Sequence, residues 1–209
     1  MEKFEVVSGV AVPMLMNNIN TDLIAPSHFP GKRPDEAVLM SLPDKMFANL
    51  RFHPDGTPKA EFILNQERYK SPTFILAGVN FGCGSSRETA VWSLRESGIR
   101  CVIAPSFGDI FHDNAYQNGL LPLKVDMATI ESLSRTLNES NASELTLDLL
   151  NCEIRVAGHP PVKFQMDESR RQPLLEGLDQ LGFMLQSEAE IVAFEDADRK
   201  ERPWAYPDR

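Results

Sequence analysis

The most chemically suggestive part of this 209-residue chain is a glycine- and serine-rich segment at residues 80–88, Asn-Phe-Gly-Cys-Gly-Ser-Ser-Arg-Glu. Its arginine carries a guanidinium that can bind a carboxylate in bidentate fashion, and Gly82 and Gly84 let the backbone turn sharply and approach a ligand closely. Ser85 and Glu88 stand in the S-x-x-E spacing of a capping box, which predicts a helix N-terminus with free N–H groups. The segment therefore predicts a site for a small anion with a serine hydroxyl beside it.

The same pattern has a simpler interpretation and three sharper rivals. In the simpler one, Ser85 only caps the helix and Arg87 is solvated. A dinucleotide fingerprint needs a third glycine where Arg87 stands, and a P-loop counted from Gly78 reaches Cys83 at its sixth position with no lysine after it. A nucleophile elbow, G-x-S-x-G, nearly occurs at residues 104–108, but its first glycine is missing and no clear Asp/His pairing follows. The simple cap and a hydrolase stay open as alternatives.

The elements that must position this segment form an alternating series in the middle of the chain. An apolar run bounded by Pro72 and Gly78 is typical of a buried strand. The series predicted from such patterns is a strand at 73–77, a helix at 86–97, a strand at 101–104, a helix at 107–118 and a strand at 120–125. This alternation favours parallel pairing with right-handed crossovers, and ligands bind between strand and helix in such sheets.

The rest of the chain completes one α/β domain, expected over residues 1–198 with a charged tail at 199–209. An opening strand at 6–12 should end at Pro13, and Pro43 should interrupt a helix between 35 and 50. Pro173 is tolerable only in the first turn of its helix. The other predicted elements are a long loop at 17–34, a helix near 128–137, strands at 145–149, 153–156 and 162–165, and helices near 170–178 and 188–197.

The composition limits the kinds of partner that the protein can bind and the metal sites that it can form. The formal net charge of −9, from 30 acidic and 21 basic residues, argues against nucleic acid or an anionic membrane as the main partner. No segment has the roughly 20 apolar residues of a transmembrane helix and no apolar signal region opens the chain, so a cytoplasmic location is expected. Cys83, Cys101 and Cys152 form no C-x-x-C pair, and the four histidines are scattered. We therefore expect no disulfide framework and no metal site built by this chain alone.

Several blocks of the sequence resemble one family. Residues 80–88 resemble the N-[FY]-G-x-G-S-S-R-E motif of the swivel domain in the aconitase superfamily. Residues 18–26, Asn-Ile-Asn-Thr-Asp-Leu-Ile-Ala-Pro, resemble the N-x-D-T-D-x-I-x-P loop of the small subunits of isopropylmalate isomerase. Residues 103–111 resemble the I-A-P-S-F-A-D-I-F block of the same subunits, and residues 118–122 and 177–179 also match. The resemblance runs in order over nearly the whole chain.

The resemblance implies both a fold and an activity. The fold is a single aconitase-type swivel domain with a compact, partly parallel, barrel-like sheet of the β/β/α kind and surrounding helices. The activity is a dehydration and rehydration that interconverts 2-isopropylmalate and 3-isopropylmalate in leucine biosynthesis. In this superfamily an iron of a [4Fe–4S] cluster binds the leaving hydroxyl as a Lewis acid. The family's cluster ligands lie in a separate large subunit, so a cluster-bearing partner chain is expected and this chain should bind no cofactor itself.

The resemblance also implies roles for single residues. Ser85 should remove the carbon-bound proton as an alkoxide, which N–H dipoles at a helix N-terminus can stabilise in a dry site. Ser86 and Arg87 should bind a substrate carboxylate. The other residues implied to bind substrate are Gly84, Thr21, Asp22 and Arg33.

Three departures from the family pattern affect the implied substrate. Asn20 replaces the first aspartate of D-T-D, and Thr89 replaces a histidine that usually follows S-S-R-E. The segment at 27–35 lacks the usual Phe-Leu pair and the Arg-Thr-Gly-rich stretch of the loop that covers the substrate's side group. A related hydro-lyase acting on a methylmalate- or homoaconitate-type substrate and a non-catalytic binding module of the same fold therefore stay open, as does a solvated role for Arg33.

Overall fold

A seven-stranded mixed sheet forms the centre of the protein in a computed structural model that describes residues 1–33, 35–36, 40–139 and 143–206. The strands are β1 (Val6–Met14), β2 (Pro72–Ala77), β3 (Cys101–Ala104), β4 (Leu121–Lys124), β5 (Glu144–Asp148), β6 (Glu153–Val156) and β7 (Val162–Lys163). Their order across the sheet is β4-β3-β2-β1-β5-β6-β7. Strands β1 to β4 are parallel, and β5 to β7 are added as antiparallel neighbours.

Helices connect and cover these strands. The described α-helices are α1 (Thr21–Ile24), α2 (Leu42–Lys45), α3 (Ala48–Arg51), α4 (Glu88–Glu96), α5 (Asp109–Gln117), α6 (Met127–Glu139), α7 (Glu168–Glu176), α8 (Gln180–Met184) and α9 (Glu188–Glu201). Short 3-10 turns lie at Ile63–Asn65, Glu67–Tyr69, Leu185–Ser187 and Pro203–Ala205. Among the described residues, no helix is long and apolar enough to cross a membrane.

The sheet separates two hydrophobic cores, which is why its central strands carry long apolar runs. Side chains of a strand alternate between the two faces. In β2, Phe74 and Leu76 therefore enter one core, and Ile75 and Ala77 enter the other. Helices α4 and α5 pack on the Ile75 face, and α6 packs on the Phe74 face. The predicted single α/β domain with a partly parallel sheet is confirmed.

The opening strand is longer than the sequence predicted. Pro13 does not end β1, because it pairs with Leu76 in the ladder to β2. Strand β5 pairs with residues 6–10 of β1, so within the described part of the chain no strand pairs with the other side of β1 at Pro13. A missing N–H costs least at such a position.

Two further predictions change between residues 17 and 51. The long loop contains one helical turn, α1, whose N-cap Asn20 accepts the Leu23 N–H on its side chain (2.8 Å). Asp35 and Glu36 are helical, as expected for the start of the helix predicted between 35 and 50. A separate helix, α2, begins at Leu42, where Pro43 lies in the first turn and needs no N–H partner. It restarts as α3 after Phe47, which adopts a left-handed backbone. Residues 34 and 37–39 lie outside the described residues.

The prediction for Pro173 is wrong. Helix α7 begins at Glu168, so Pro173 is its sixth residue rather than a first-turn residue. The carbonyl that loses its N–H partner belongs to the exposed Ser169, where water can replace the bond. Gly177, with φ of 72°, then ends the helix. The division of the chain at residue 198 stays a prediction, since α9 continues through it to Glu201 and residues 207–209 lie outside the described part.

Candidate active site

Three loops that follow neighbouring parallel strands meet at one edge of the sheet. Strands β1, β2 and β3 run side by side in the same direction, so their carboxyl ends lie together. Ligands bind at this edge in open α/β sheets. The loops that leave it are the first loop at residues 15–25, the second loop at 78–87 and the third loop at 105–108.

Backbone hydrogen bonds hold the first and second loops together. The donors and acceptors are Asn18 N–H to Val79 O (2.9 Å), Gly82 N–H to Ile19 O (2.7 Å) and Thr21 N–H to Cys83 O (2.9 Å). The side chains of Asn18 and Asn80 add a bond of 2.8 Å. Both asparagines have positive φ, at 55° and 62°, a conformation that asparagine tolerates better than most residues. Sequence reasoning did not predict that Asn18 and Asn80 join the two loops, although asparagine in a loop is a signal for such a left-handed backbone.

The third loop is fixed to the second through Ser106. Its Oγ accepts the Asn80 N–H (2.9 Å), and its carbonyl accepts the Phe81 N–H (3.0 Å). The Gly108 N–H in turn donates to Phe81 O (2.9 Å). Ser106 was the serine of the near-miss nucleophile elbow, and the structure gives its hydroxyl this positioning role instead.

Glycine is required at Gly82 for two reasons. Its φ is +73°, and a Cβ atom there would lie 2.2 Å from Cγ of Phe111. Gly84 also has positive φ, at +96°, but a Cβ atom there would meet Asn20 at an ordinary 3.5 Å. The second loop therefore lies directly against α5 at Gly82 and is more open at Gly84.

The capping-box prediction for Ser85 and Glu88 is wrong. Helix α4 begins at Glu88, its N-cap is Arg87, and no side chain caps it. The carbonyl of Ser85 accepts the Arg87 N–H (2.9 Å) and the Thr21 hydroxyl (2.9 Å), which holds Ser85 outside the helix. Among the described residues, nothing forms a hydrogen bond with the hydroxyl of Ser85, and the residue is exposed. The serine that the sequence selected for chemistry is therefore not engaged in capping.

Arg87 and Asp22, both predicted to bind substrate, contact each other. Nη1 of Arg87 lies 2.6 Å from Oδ1 of Asp22. The side chains are 41% and 58% exposed, so the pair contributes only about 0–1 kcal/mol. Guanidinium has five N–H donors, and this contact leaves the Nε and Nη2 groups of Arg87 for a second carboxylate.

The other residues predicted to bind substrate differ in burial and in hydrogen-bond partners. Thr21 is buried, and its hydroxyl supports Ser85 rather than facing solvent. Ser86 is exposed, and its hydroxyl has no partner among the described residues. Arg33 binds Glu36, with Nη2 3.2 Å from Oε1, and lies 3.4 Å from Asp35. The hydrogen bond from the Arg33 backbone N–H, and after it the contact with the guanidinium, lowers the pKa of Glu36. No hydrogen bond or ion pair in the described part of the chain joins Arg33 to the second loop.

A cleft of about 200 Å³ lies beside Ser85. One wall is residues 82–85 of the second loop, and the other is Gly108 with Asp109, Ile110 and Phe111. These last residues are the N-cap and first turn of α5, which has no side-chain cap. First-turn N–H groups have no acceptor within their own helix. The helix N-terminus at the cleft is thus that of α5, whereas the sequence predicted the helix after Ser85.

The described residues do not form a metal site. They contain no group of three or more His, Cys, Asp or Glu side chains that could hold a metal ion. All three cysteines are free, and Cys83 is half-buried in the wall of the cleft. Burial raises the pKa of the Cys101 thiol well above its ordinary value, so it stays protonated inside the core.

Comparison with known proteins agrees with this geometry. The chain belongs to the aconitase family, because a family profile covers more than half of it. The profile of the family described as "Aconitase C-terminal domain" matches residues 1–128. A solved structure of 3-isopropylmalate dehydratase from Methanocaldococcus jannaschii shares the fold, with a TM-score of 0.57 and 22% identity, and covers 91% of this chain and 99% of its own.

Curated relatives narrow the class further. The 3-isopropylmalate dehydratase small subunit of Nitrobacter winogradskyi is 41% identical over 98% of this chain and 100% of its own length. The protein of the same description from Rhizobium rhizogenes is 40% identical, with the same coverage of both chains. The chain therefore belongs to the family of 3-isopropylmalate dehydratase small subunits.

Proposed function

We propose that this chain is the small subunit of a 3-isopropylmalate dehydratase, a hydro-lyase that interconverts 2-isopropylmalate and 3-isopropylmalate in leucine biosynthesis together with a large subunit. The observation that carries the proposal is the Ser85 hydroxyl. It has no hydrogen-bond partner among the described residues and lies on the wall of a cleft, in a chain whose full-length relatives are described as 3-isopropylmalate dehydratase small subunits. A serine that neither caps a helix nor binds a neighbour is available to exchange a proton with substrate.

Ser85 acts as the base that takes the proton from the substrate carbon. A serine alkoxide is a strong base, but it forms near neutral pH only if fixed dipoles stabilise it, because the ordinary pKa of a hydroxyl is far above neutrality. The first turn of α5, at Asp109 and Ile110 across the cleft, is the helix N-terminus available for this purpose. A large subunit that covers the exposed second loop would remove water and strengthen these dipoles.

Arg87 and Ser86 hold a carboxylate of the substrate. Asp22 binds Nη1 at one edge of the Arg87 guanidinium and orients the group. The remaining N–H groups, on Nε and Nη2, are then directed toward the substrate carboxylate. Asp22 is therefore a positioning residue in this proposal. Thr21 positions Ser85 in the same sense, through its carbonyl. Gly84, which is exposed and has space around it, lets the substrate approach the backbone.

The [4Fe–4S] cluster of the superfamily supplies Lewis acidity toward the leaving hydroxyl, and we place it in the large subunit. The described residues of this chain do not fit a cluster, since its ligands are normally several thiolates. Cys83 is free and half-buried, and Cys101 is free and lies inside the core. This chain contributes the base, Ser85, and the residues that bind the substrate carboxylate, Ser86 and Arg87.

Anaerobic reconstitution tests the proposal. The chain, the cognate large subunit and their mixture are each supplied with 2-isopropylmalate, and the products are followed by proton NMR. Only the mixture should form 3-isopropylmalate, and in deuterated water the product should carry deuterium at the carbon that lost its hydroxyl, because rehydration adds the hydroxyl to the carbon that lost its proton. A mixture that binds but converts no isopropylmalate contradicts the proposal.

A related hydro-lyase with a smaller 2-hydroxy diacid as substrate is the second candidate. It is favoured by the loop after Pro26, where Phe29 packs against Phe52 with ring centroids 5.1 Å apart. This aromatic ring is thus partly engaged and offers little apolar wall to an isopropyl group. Each missing methylene contact is worth only about 1–3 kcal/mol, so methylmalate should compete well if this candidate is right. The same reconstituted mixture distinguishes the two by its kcat/KM for each substrate.

A further inference from the structure

The C-terminal helices of the chain, from residue 181 onward, expose an unusual amount of apolar surface. Of the fifteen large hydrophobic side chains that are exposed in the described part of the chain, eight lie between Leu181 and Trp204. Phe194 is 64% exposed and Trp204 is 77% exposed. Scattered exposed hydrophobics are normal, but a concentration of them marks an interaction surface. We name residues 181–206 the C-terminal apolar segment.

Helix α9, the main part of this segment, is not held by a core. It has 14 residues, about 21 Å of helix, and none of them is buried. Its described support is local: Asp198 binds Arg202 (2.6 Å) and Tyr206 (2.8 Å). Isolated helices of this length are marginal in water, and most helices gain their stability from packing an apolar face. Ile191, Val192 and Phe194 are 38%, 49% and 64% exposed, so none of them is buried against the described part of the chain.

The negative charge of α9 indicates what kind of partner covers the helix. The helix has six acidic and two basic residues, a net charge of −4, within a chain of net charge −9. A second copy would bring the same negative field against it, and like charges in an interface are costly. An apolar groove rimmed by Lys and Arg side chains complements both the apolar residues and the acids. The charge therefore favours a different chain over a second copy.

The length of the C-terminal apolar segment and its position relative to the cleft are compatible with a stable subunit interface. Stable interfaces use about 20–30 residues on each side, and the segment has a matching length. It begins beside the C-terminal end of α5, where Leu181 and Met184 line a groove with Gln117. The cleft at Ser85 lies at the other end of α5. A partner on this segment can therefore hold the subunit without touching the reacting groups.

We infer that the C-terminal apolar segment docks in an apolar, basic-rimmed groove of the large subunit. The inference rests on the proposed function, because that function supplies the partner. The apolar side chains of α9, with Phe194 and Val192 at the centre, contribute the affinity, and the acids around them speed the encounter. The second loop is then left to face the partner's reacting centre.

Binding measurements on the full chain test the inference. The large subunit is immobilised, and the wild-type chain is compared with a V192D/F194D variant by biolayer interferometry. Kd should rise at least about 100-fold, because interface hot spots cost about 2 kcal/mol or more each. The matched control is Leu150→Asp, at a 51% exposed position in the turn after β5, and it should bind within about threefold of wild type. Circular dichroism checks that both variants are folded.

A charge-reversal variant tests the acidic rim. E195K/D196K should lower the association rate about tenfold at low salt, and the difference should shrink at 0.5 M NaCl because exposed charges are screened. Unchanged Kd in V192D/F194D overturns the inference. So does a wild-type chain that dimerises alone and becomes monomeric in that variant by light scattering, since the segment then binds a second copy.

Activity separates this inference from the proposed function. At saturating large subunit, V192D/F194D should recover wild-type kcat, since neither residue lies at the cleft. If the wild-type complex forms through this segment but converts no isopropylmalate, the proposed function fails and the docking surface stands. If the complex is active and the variant binds normally, the docking surface fails alone.

Discussion

The hydroxyl of Thr21 donates a hydrogen bond of 2.9 Å to the carbonyl oxygen of Ser85. Thr21 lies 64 residues earlier in the chain and is 2% exposed, whereas Ser85 lies on the surface of the cleft. A rigid, buried donor thus fixes the backbone of the residue proposed as the base. Catalytic groups need such support, because a displacement of about 1 Å can cost 100-fold in rate.

Replacing Thr21 by Val should therefore lower kcat more than it changes KM. The variant removes one hydrogen bond and leaves the Ser85 carbonyl short of a donor, which should cost about 1 kcal/mol of stability. We expect kcat to fall about 10- to 100-fold, with KM within about threefold. Thr21→Ser keeps the donor and should restore most of kcat. Wild-type kcat in Thr21→Val would refute the positioning role, because valine keeps the methyl group and removes only the hydrogen bond.

Replacing Ser85 by Ala should abolish turnover without changing stability. General-base work contributes about 10²–10⁴ in rate, and a base acts mainly in the transition state, so KM should stay within about tenfold. Because Ser85 does not cap α4, the melting temperature should match wild type, whereas loss of a true N-cap would cost about 1 kcal/mol. Ser86→Ala is the control and should raise KM with smaller effect on kcat. Retention of more than about a tenth of kcat in Ser85→Ala contradicts the assignment.

The pair of Asp22 and Arg87 predicts different results for two replacements of the aspartate. Asn at position 22 can still accept a hydrogen bond from Arg87 and no longer repels a carboxylate, so KM should fall or stay equal. Asp22→Ala leaves the guanidinium undirected, and KM should rise several-fold. Arg87→Ala removes a charge-assisted contact worth about 1.5–3 kcal/mol, so KM should rise at least about tenfold. Steady-state kinetics of the reconstituted complex decide, and an Asp22→Asn variant as damaged as Arg87→Ala would refute the positioning role.

Gly82 should be far less replaceable than Gly158, which provides a matched control. Both have positive φ, at +73° and +80°, but a Cβ atom at Gly158 would meet nothing within 4 Å. Alanine should cost about 1–2 kcal/mol at Gly158 from backbone strain alone. At Gly82 the clash with Phe111 adds roughly 1–3 kcal/mol of overpacking. Urea unfolding measures both, and equal losses would mean that the second loop shifts away from α5 at no cost.

Asp148 should make stability depend on pH in the acid range. Its buried carboxylate accepts hydrogen bonds from the Asn151 side chain (2.9 Å), the Asn151 backbone (2.9 Å) and Arg155 (3.0 Å). These contacts, with the Asn151 side chain first, lower the pKa of Asp148 below its ordinary value. The ionised group therefore contributes stability above the unfolded pKa of about 3.9, and this contribution is lost as pH falls through the lower folded pKa.

Asp148→Asn should consequently be less stable than wild type at pH 7, with a difference that shrinks as pH drops below about 4. Urea unfolding at several pH values from 7 to 3 measures the difference. Asp126→Asn is a comparison at an exposed carboxylate, whose pKa is lowered mainly by hydrogen bonds from the Thr129 side chain and backbone at the start of α6. A difference for Asp148→Asn that stays constant over the whole range would show that the carboxylate charge has no part in it.

The sequence by itself determined the local patterns and the place of the site. Apolar runs between glycine and proline predicted β2 and β3, since a strand buried on both faces is apolar at each position. The same patterns predicted α4, whose Ala90, Val91 and Leu94 are buried as expected. The glycine–serine segment at 80–88 was recognisable because its residue types are rare together. Each of these features depends on residues that are close in the chain.

Only the tertiary structure decided how the site is assembled. The S-x-x-E spacing predicted a cap at Ser85, but Thr21 holds the Ser85 carbonyl and the helix starts at Glu88 instead. The helix N-terminus at the cleft belongs to α5 because the Phe81–Gly108 hydrogen bond joins the second and third loops. Such contacts depend on which strands are neighbours in the sheet. Residues far apart in sequence meet only after the parallel pairing of β1, β2 and β3 brings their carboxyl ends together, and a local pattern carries no record of that pairing.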